Sequence, residues 1–293
     1  MADPAAAKYS FDEYAAASLE FVRANAGNPF FLYLPFTPPH GALEVPELGD
    51  YARRDWPYVE QKIWAAMITR MDAAIGRLMA LLKELGLDED TAVFFTSDNG
   101  YSAASYGADN ALDNLFHHRG PWLGRKGDLH QGGLRVPTVA RWPGRIAPGT
   151  VSDHVWAFWD FLPTAAEIAG AEKPPRTDGL SILPTLLGQP ERQKQHEHLY
   201  WQFSDEQALR MGEWWIHRKS PSSPIRVTHA NEDPAEERDL ASEKPEVAKR
   251  AEEIFRAEHE PTPYAPSPGE NRESWHRRAQ AAGVSLPHNV DTW

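Results

Sequence analysis

Three loops hold the residues whose types and spacing could do chemistry. They are Thr37-Pro38-Pro39-His40, Ser97-Asp98-Asn99-Gly100, and Gly124-Arg125-Lys126-Gly127 running into Gly132-Gly133-Leu134-Arg135-Val136-Pro137. An Asp beside an Asn offers carboxylate and amide oxygens, the hard ligands that Ca²⁺ or Mg²⁺ prefers. Asp-Asn-Gly is equally a good turn sequence, and spacing alone leaves both readings open. His40 follows a Pro-Pro pair that fixes its approach and is suited to general acid work or to an anion; ordinary loop capping explains it as well. Lys126 lies between glycines that let backbone approach a ligand closely, which suits a sulfate or phosphate oxygen or a solvated loop. Of His117 and His118, one could face a pocket, and His118 is the candidate substrate contact. Asp109, Asp113 and Asp128 have no spacing that argues a site, and Trp214-Trp215 reads as core.

These loops need elements to position them. Phe30–Leu34 and Thr91–Thr96 are continuous apolar runs of strand length, expected to be buried on both faces. The first two loops follow them, and ligands of doubly wound sheets bind beyond the carboxyl ends of strands. Arg135–Trp142 reads as a third strand, ended by Pro143-Gly144. Helical spacing of apolar residues predicts helices over residues 11–25 and 58–85, the latter with Gly86 as C′ residue, and another over 160–169. Helix and strand alternate as in a parallel sheet. Residues 100–134 are rich in Gly, Asn, Asp and His, and so long an irregular stretch is usually functional. From about 199 the character changes. Residues 198–203 and 214–217 read as antiparallel strands, 243–258 as a charged helix, and the Pro-rich tail from Pro261 as irregular.

In order and separation, the loops resemble the C-terminal half of the catalytic core of the sulfatases, within the alkaline-phosphatase-like superfamily. Further matches are Arg141-Trp142-Pro143-Gly144, Asp160-Phe161-Leu162-Pro163-Thr164, Asp178-Gly179-Leu180-Ser181 and Asp233-Pro234-Ala235-Glu236. The resemblance covers about residues 10–260. It implies an α/β fold with a mostly parallel sheet and flanking helices, incomplete here, followed by a small antiparallel α+β subdomain. The expected division is 1–195 and 196–293. It also implies roles: Asp98 and Asn99 as two ligands of a divalent metal, usually calcium; Lys126 at the sulfate ester; His40 assisting the leaving group; and Arg135 structural. The substrate implied is a small-molecule or glycan sulfate ester. Gln131 departs from the family, which commonly has Glu before Gly-Gly.

The family's formylglycine nucleophile is made from Cys or Ser in a Cys/Ser-x-Pro-x-Arg segment upstream of these loops. The chain has no Cys, and no such segment or Asp-Asp metal pair in a matching position. Ser222-Ser223-Pro224-Ile225-Arg226 fits the letters, but it follows the loops and lacks the usual Thr-Gly, so it reads as a chance match in a surface turn. A missing N-terminal half or a complementary chain is therefore expected, and the chain alone is expected to be inactive. The alternatives are a phosphonate monoester or phosphodiester hydrolase of the same superfamily, and a non-catalytic binding module.

Composition sets outer bounds. The 293 residues are 41% hydrophobic and 25% charged, ordinary for a globular chain. Thirty basic against 42 acidic side chains give a net charge of −12, which argues against nucleic acid as a partner. Zero cysteines exclude disulfides and Cys-ligated zinc. The N-terminus lacks a secretory pattern, and no run approaches the ~18 apolar residues of a membrane helix. The compartment stays open.

Overall fold

A computed structural model of the chain describes residues 8–102, 115–172 and 174–284. Helix α1 spans Ser10–Ala24 and α2 spans Val59–Glu84. Gly86 ends α2 as expected, at φ 71°, with Leu87 N–H donating to Leu82 O at 2.8 Å. The two helices meet through Phe11, Ala15 and Ala74, and through Val22, Leu81 and Leu82. Asp12 accepts a two-pronged bond from Arg70 across this contact, at 2.7 and 2.6 Å.

Strand β1 is Val93–Thr96 and β2 is Thr138–Arg141. They pair antiparallel, with Thr96 opposite Thr138. The expected third strand starts later than Arg135 because Pro137 has no N–H to give a ladder. Phe30–Leu34 joins no ladder among the described residues. Its Phe30 and Leu32 pack on the α1/α2 cluster, whereas Phe31 and Tyr33 are 69% and 75% exposed. The run is thus covered on one face, not two. The ladders of the described residues are all antiparallel, so the parallel pairing expected from helix–strand alternation is not among them.

Helix α3, Phe161–Ile168, follows a 3₁₀ turn at Phe158–Asp160. Asp160 is fully buried. Its carboxylate accepts from Ala157 N at 2.8 Å and Leu180 N at 2.7 Å, and meets His196 Nε2 at 2.8 Å. One side chain thereby ties the start of α3 to two later loops.

The C-terminal sheet runs β3 Leu199–Phe203, β4 Glu206–Met211, β5 Trp214–Arg218 and β6 Arg226–His229, each antiparallel to the next. Alternation divides its residues between two faces. Leu209, Ile216 and Val227 pack under helix α4, Pro245–Ala257, through Ala251, Ile254 and Phe255. Ala208 and Trp215 face the other way, onto Leu129 and Leu134 of the third loop. The tail departs from expectation by forming helix α5, Arg272–Ala281, where the Asn271 side chain accepts from Ser274 N and Trp275 is buried. The Ser222–Arg226 match begins in the expected turn, where Ser220 Oγ meets Ser223 Oγ at 2.8 Å. Among the described residues no helix is long and apolar enough to cross a membrane.

Replacing Asp160 by Ala strands two half-buried N–H groups and the half-buried His196. Urea unfolding of Asp160→Ala should show a loss of about 3 kcal/mol, and Asp160→Asn a smaller one.

Candidate active site

The antiparallel register builds the site. Because Thr96 lies opposite Thr138, the loop leaving β1 and the loop entering β2 share one end of the ladder. There Gly100 N donates to Gly133 O at 2.9 Å and Tyr101 N to Gly132 O at 3.1 Å. The approach is so close that a Cβ on Gly100 would overlap the Gly132 carbonyl. A Cβ on Gly132 would stand 2.6 Å from the carbonyl oxygens of Leu123 and Gly124. Here glycine is required by space rather than by backbone angle.

The same contact places Lys126. Its N–H donates to Tyr101 O at 2.5 Å, and its Nζ reaches His40 Nε2 at 3.3 Å. His40 Nδ1 lies 2.5 Å from Gly41 O, which only an Nδ1–H can satisfy. Nε2 is then the lone pair that accepts from the Lys126 ammonium. Asp98 is exposed. Asn99 Nδ2 donates to Gly100 O at 3.0 Å, which leaves its Oδ1 as an acceptor for a cation. His118 stands against Tyr101 and Trp64, with ring centroids 4.7 and 5.3 Å away.

His40, Asp98, Asn99, His118 and Lys126 all line one cavity of about 2010 Å³. This is well above the ~300–1,000 Å³ of ordinary ligand pockets. The excess is a trough along Phe31, Tyr33, Phe94 and Phe95. Where the trough meets the loops its lining carries Arg119 and Arg135 as well as Lys126, in a chain of net charge −12. Asp109 and Asp113 lie outside the described residues. Among the described residues no group of three or more His, Asp or Glu side chains converges as a metal site would require. Asp98 and Asn99 are two oxygen donors of the six to eight that Ca²⁺ takes.

Sequence reasoning missed the support behind Lys126. Glu236 is buried, and its carboxylate meets His130 Nδ1 at 2.7 Å and accepts from Gln131 N at 3.0 Å. Glu206 accepts from Leu129 N at 3.1 Å. The available signal was the Asp233–Glu236 motif, which had no assigned partner. The Arg135 guanidinium sits over the Trp122 ring, 3.7 Å from its centroid, and donates to Gln131 Oε1 at 3.1 Å. Burial, with Arg210 nearby, lowers its pKa to about 10; the neutral Gln131 offers no charge against this.

His130 and His217 sit 4.3 Å apart, ring to ring. Burial opposes charge on His130, but the Glu236 carboxylate outweighs it and the pKa is raised. Burial, then His130, pushes His217 down to about 4. Its Nε2 is 3.7 Å from Glu206, beyond hydrogen-bond reach.

Solved structures place the fold. Ps i-CgsB superposes with a TM-score of 0.73 at 24% identity, over 85% of this chain and 55% of its own. The phosphonate monoester hydrolase SpPMH from Silicibacter pomeroyi gives 0.61 at 19%, over 85% and 60%. The fold is the alkaline-phosphatase-like α/β fold. A family model described as Sulfatase matches residues 3–171, more than half of the chain, and the chain belongs to the sulfatase family. Steryl-sulfatase of Mus musculus is 35% identical over 182 residues, 61% of this chain and 28% of the relative. N-acetylgalactosamine-6-sulfatase of Canis lupus familiaris is 34% identical over 183 residues, 60% and 32%. The chain thus spans about a third or less of these relatives.

Two outcomes are expected. Gly100→Ala forces backbone apart and should cost about 2 kcal/mol by urea unfolding, with faster amide exchange at Tyr101. For His217, the folded pKa lies below the unfolded one, so the unfolded chain takes up the extra proton as pH falls. Stability should drop from about pH 6.5 toward pH 4 by about 3 kcal/mol from this residue. In His217→Gln, unfolding curves between pH 7 and 4 should lose that part of the decline.

Proposed function

We propose that this chain is the leaving-group side of a sulfatase active site, acting on a sulfate ester. The observation that carries the proposal is the 3.3 Å contact of Lys126 Nζ with His40 Nε2 inside the cavity. Lys126 binds the ester near its bridging oxygen, where its charge opposes the negative charge that develops as the S–O bond breaks. It also holds a proton within reach of that oxygen, and His40 orients the ammonium through Nε2. His118, held by Tyr101 and Trp64, contributes a substrate contact on the facing wall.

Asp98 and the Oδ1 of Asn99 suit a hard divalent ion, Ca²⁺ or Mg²⁺. When bound, such an ion polarises sulfuryl oxygens. Among the described residues these two donors would hold it weakly, and we place the remaining ligands on a complementary part. The nucleophile belongs there too, since the chain has no Cys and the Ser222–Arg226 segment is outside the cavity lining. The exposed faces of Phe31 and Tyr33 and the long trough suit coverage by that part. Residues 1–195 then form the catalytic portion and 196–293 its supporting subdomain.

A sulfated glycan is the substrate class favoured. The neighbour at 25% identity and TM-score 0.73 is described in complex with k-i-k-neocarrahexaose, and a curated relative acts on N-acetylgalactosamine 6-sulfate, by its name. A broad trough whose lining carries Arg119, Arg135 and Lys126 suits a multiply charged oligosaccharide. The second reading, a phosphonate monoester hydrolase, rests on the SpPMH likeness.

Hydrolysis of an aryl sulfate by this chain alone should equal that of a Lys126→Ala control. Joined to an N-terminal sulfatase segment bearing a Cys-x-Pro-x-Arg motif, it should turn over, and Lys126→Ala should then cost roughly 100-fold or more. Turnover by the lone chain well above the control would overturn the division of labour. A preference of the joined protein for phosphonate esters would favour the second reading.

A further inference from the structure

Lys126 lies on a short loop that is held from behind. Asp128 closes the loop on itself, accepting from Arg125 N and His130 N, both at 3.1 Å. Tyr101 O accepts from Lys126 N, and the Gly100 and Tyr101 amides donate to Gly133 and Gly132; its further ties come from more than seventy residues away in the chain. Pro234 O accepts from Leu123 N at 2.9 Å at the front of the loop. Glu206 accepts from Leu129 N at 3.1 Å near its end. Glu236 finishes the set, with one oxygen on Gln131 N at 3.0 Å and the other 2.7 Å from His130 Nδ1.

Glu236 is itself fixed. It is 5% exposed, its φ is 52°, a left-handed value uncommon for a non-glycine residue, and its carbonyl accepts from Arg226 Nη2 at 2.9 Å. Arg226 belongs to β6, so the carboxylate is anchored to the C-terminal sheet. A buried carboxylate with both oxygens engaged by one loop costs too much desolvation to serve as surface decoration. Nor is it part of the hydrophobic packing of the sheet.

We infer that Glu236 is a positioning residue for Lys126: the turn Asp233–Glu236 clamps both flanks of the loop and so sets where the ammonium meets His40. The clamp acts through Gln131 N, His130 and Leu123 N, and touches no substrate. This deepens the sulfatase reading, because it assigns the aim of the leaving-group cation to the C-terminal sheet. The clamp and that reading are nonetheless tested apart.

The test is amide hydrogen exchange and ¹⁵N NMR of the His40 ring on the full chain. Wild type, Glu236→Ala and Glu236→Gln are compared, with global unfolding followed in parallel. In Glu236→Ala, exchange at Lys126, Leu129 and Gln131 should rise at least tenfold. The His40 Nε2 resonance should move toward the value of a Lys126→Ala control, while exchange at Ile216 and Val227 of the sheet changes less than threefold. Glu236→Gln keeps an acceptor for Gln131 N and loses the charge facing His130, so it should fall between the two and rescue part of the effect. If the loop amides and the His40 ring are unchanged in Glu236→Ala, the proposal fails. It fails equally if loop and sheet amides accelerate together, which is a merely structural role. Should Glu236→Ala not fold, Glu236→Gln decides, by whether its changes are confined to the loop and His40. No readout uses turnover, so a chain that proves not to be a sulfatase leaves the clamp standing or falling on its own.

Discussion

The site rests on one close approach of backbone to backbone. Gly100 and Tyr101 donate to Gly133 and Gly132 across a gap with no room for a Cβ. This contact, together with Lys126 N donating to Tyr101 O, sets the distance between the Asp98-Asn99 turn and the Lys126 loop. The ladder beneath it is only four residue pairs long. The glycines therefore do more than permit the turn; they let two loops share one wall, and the pairing of Thr96 with Thr138 keeps that wall at the end of the strands.

Behind that wall the C-terminal sheet works on two faces. Leu209, Ile216 and Val227 bury against α4 and supply cohesion. The opposite face offers Ala208 and Trp215 to Leu129 and Leu134, while Glu206 at the start of β4 and Glu236 in the turn beyond β6 offer carboxylates to the loop's N–H groups. Strand alternation separates the two tasks. Packing on one side can be strong without constraining the loop geometry on the other.

The residues of the candidate site stood out in the sequence by type and local spacing. His40, Lys126, Asp98, Asn99 and His118 line one cavity, and Gly86 ends α2 as its position suggested. The helices were readable for the same reason: an apolar stripe is a local pattern. Phe30–Leu34 misled because an apolar run records only that a segment prefers burial, and this one finds cover on a single face. Strands β4 and β6 went unseen because Arg210 and His229 interrupt their apolar character. Helix α5 was hidden by the prolines before it and is fixed by the Asn271 cap and the burial of Trp275. Glu236 was visible only as the end of the Asp233–Glu236 motif, and its role was not, since its partners are 105 and 106 positions away.

The breadth of the trough has a consequence for the strength of the charges at its end. Opposite unit charges 4 Å apart attract by about 1 kcal/mol at the dielectric constant of water and by about 4 kcal/mol at an effective value near 20. Lys126 and His40 are both exposed, so an ester lying against them shares the weak field of bulk solvent. A lid of protein over Phe31 and Tyr33 would exclude that solvent and multiply the pull of the same ammonium without moving an atom of the loop. In this arrangement the residues supply direction, and the cover supplies strength.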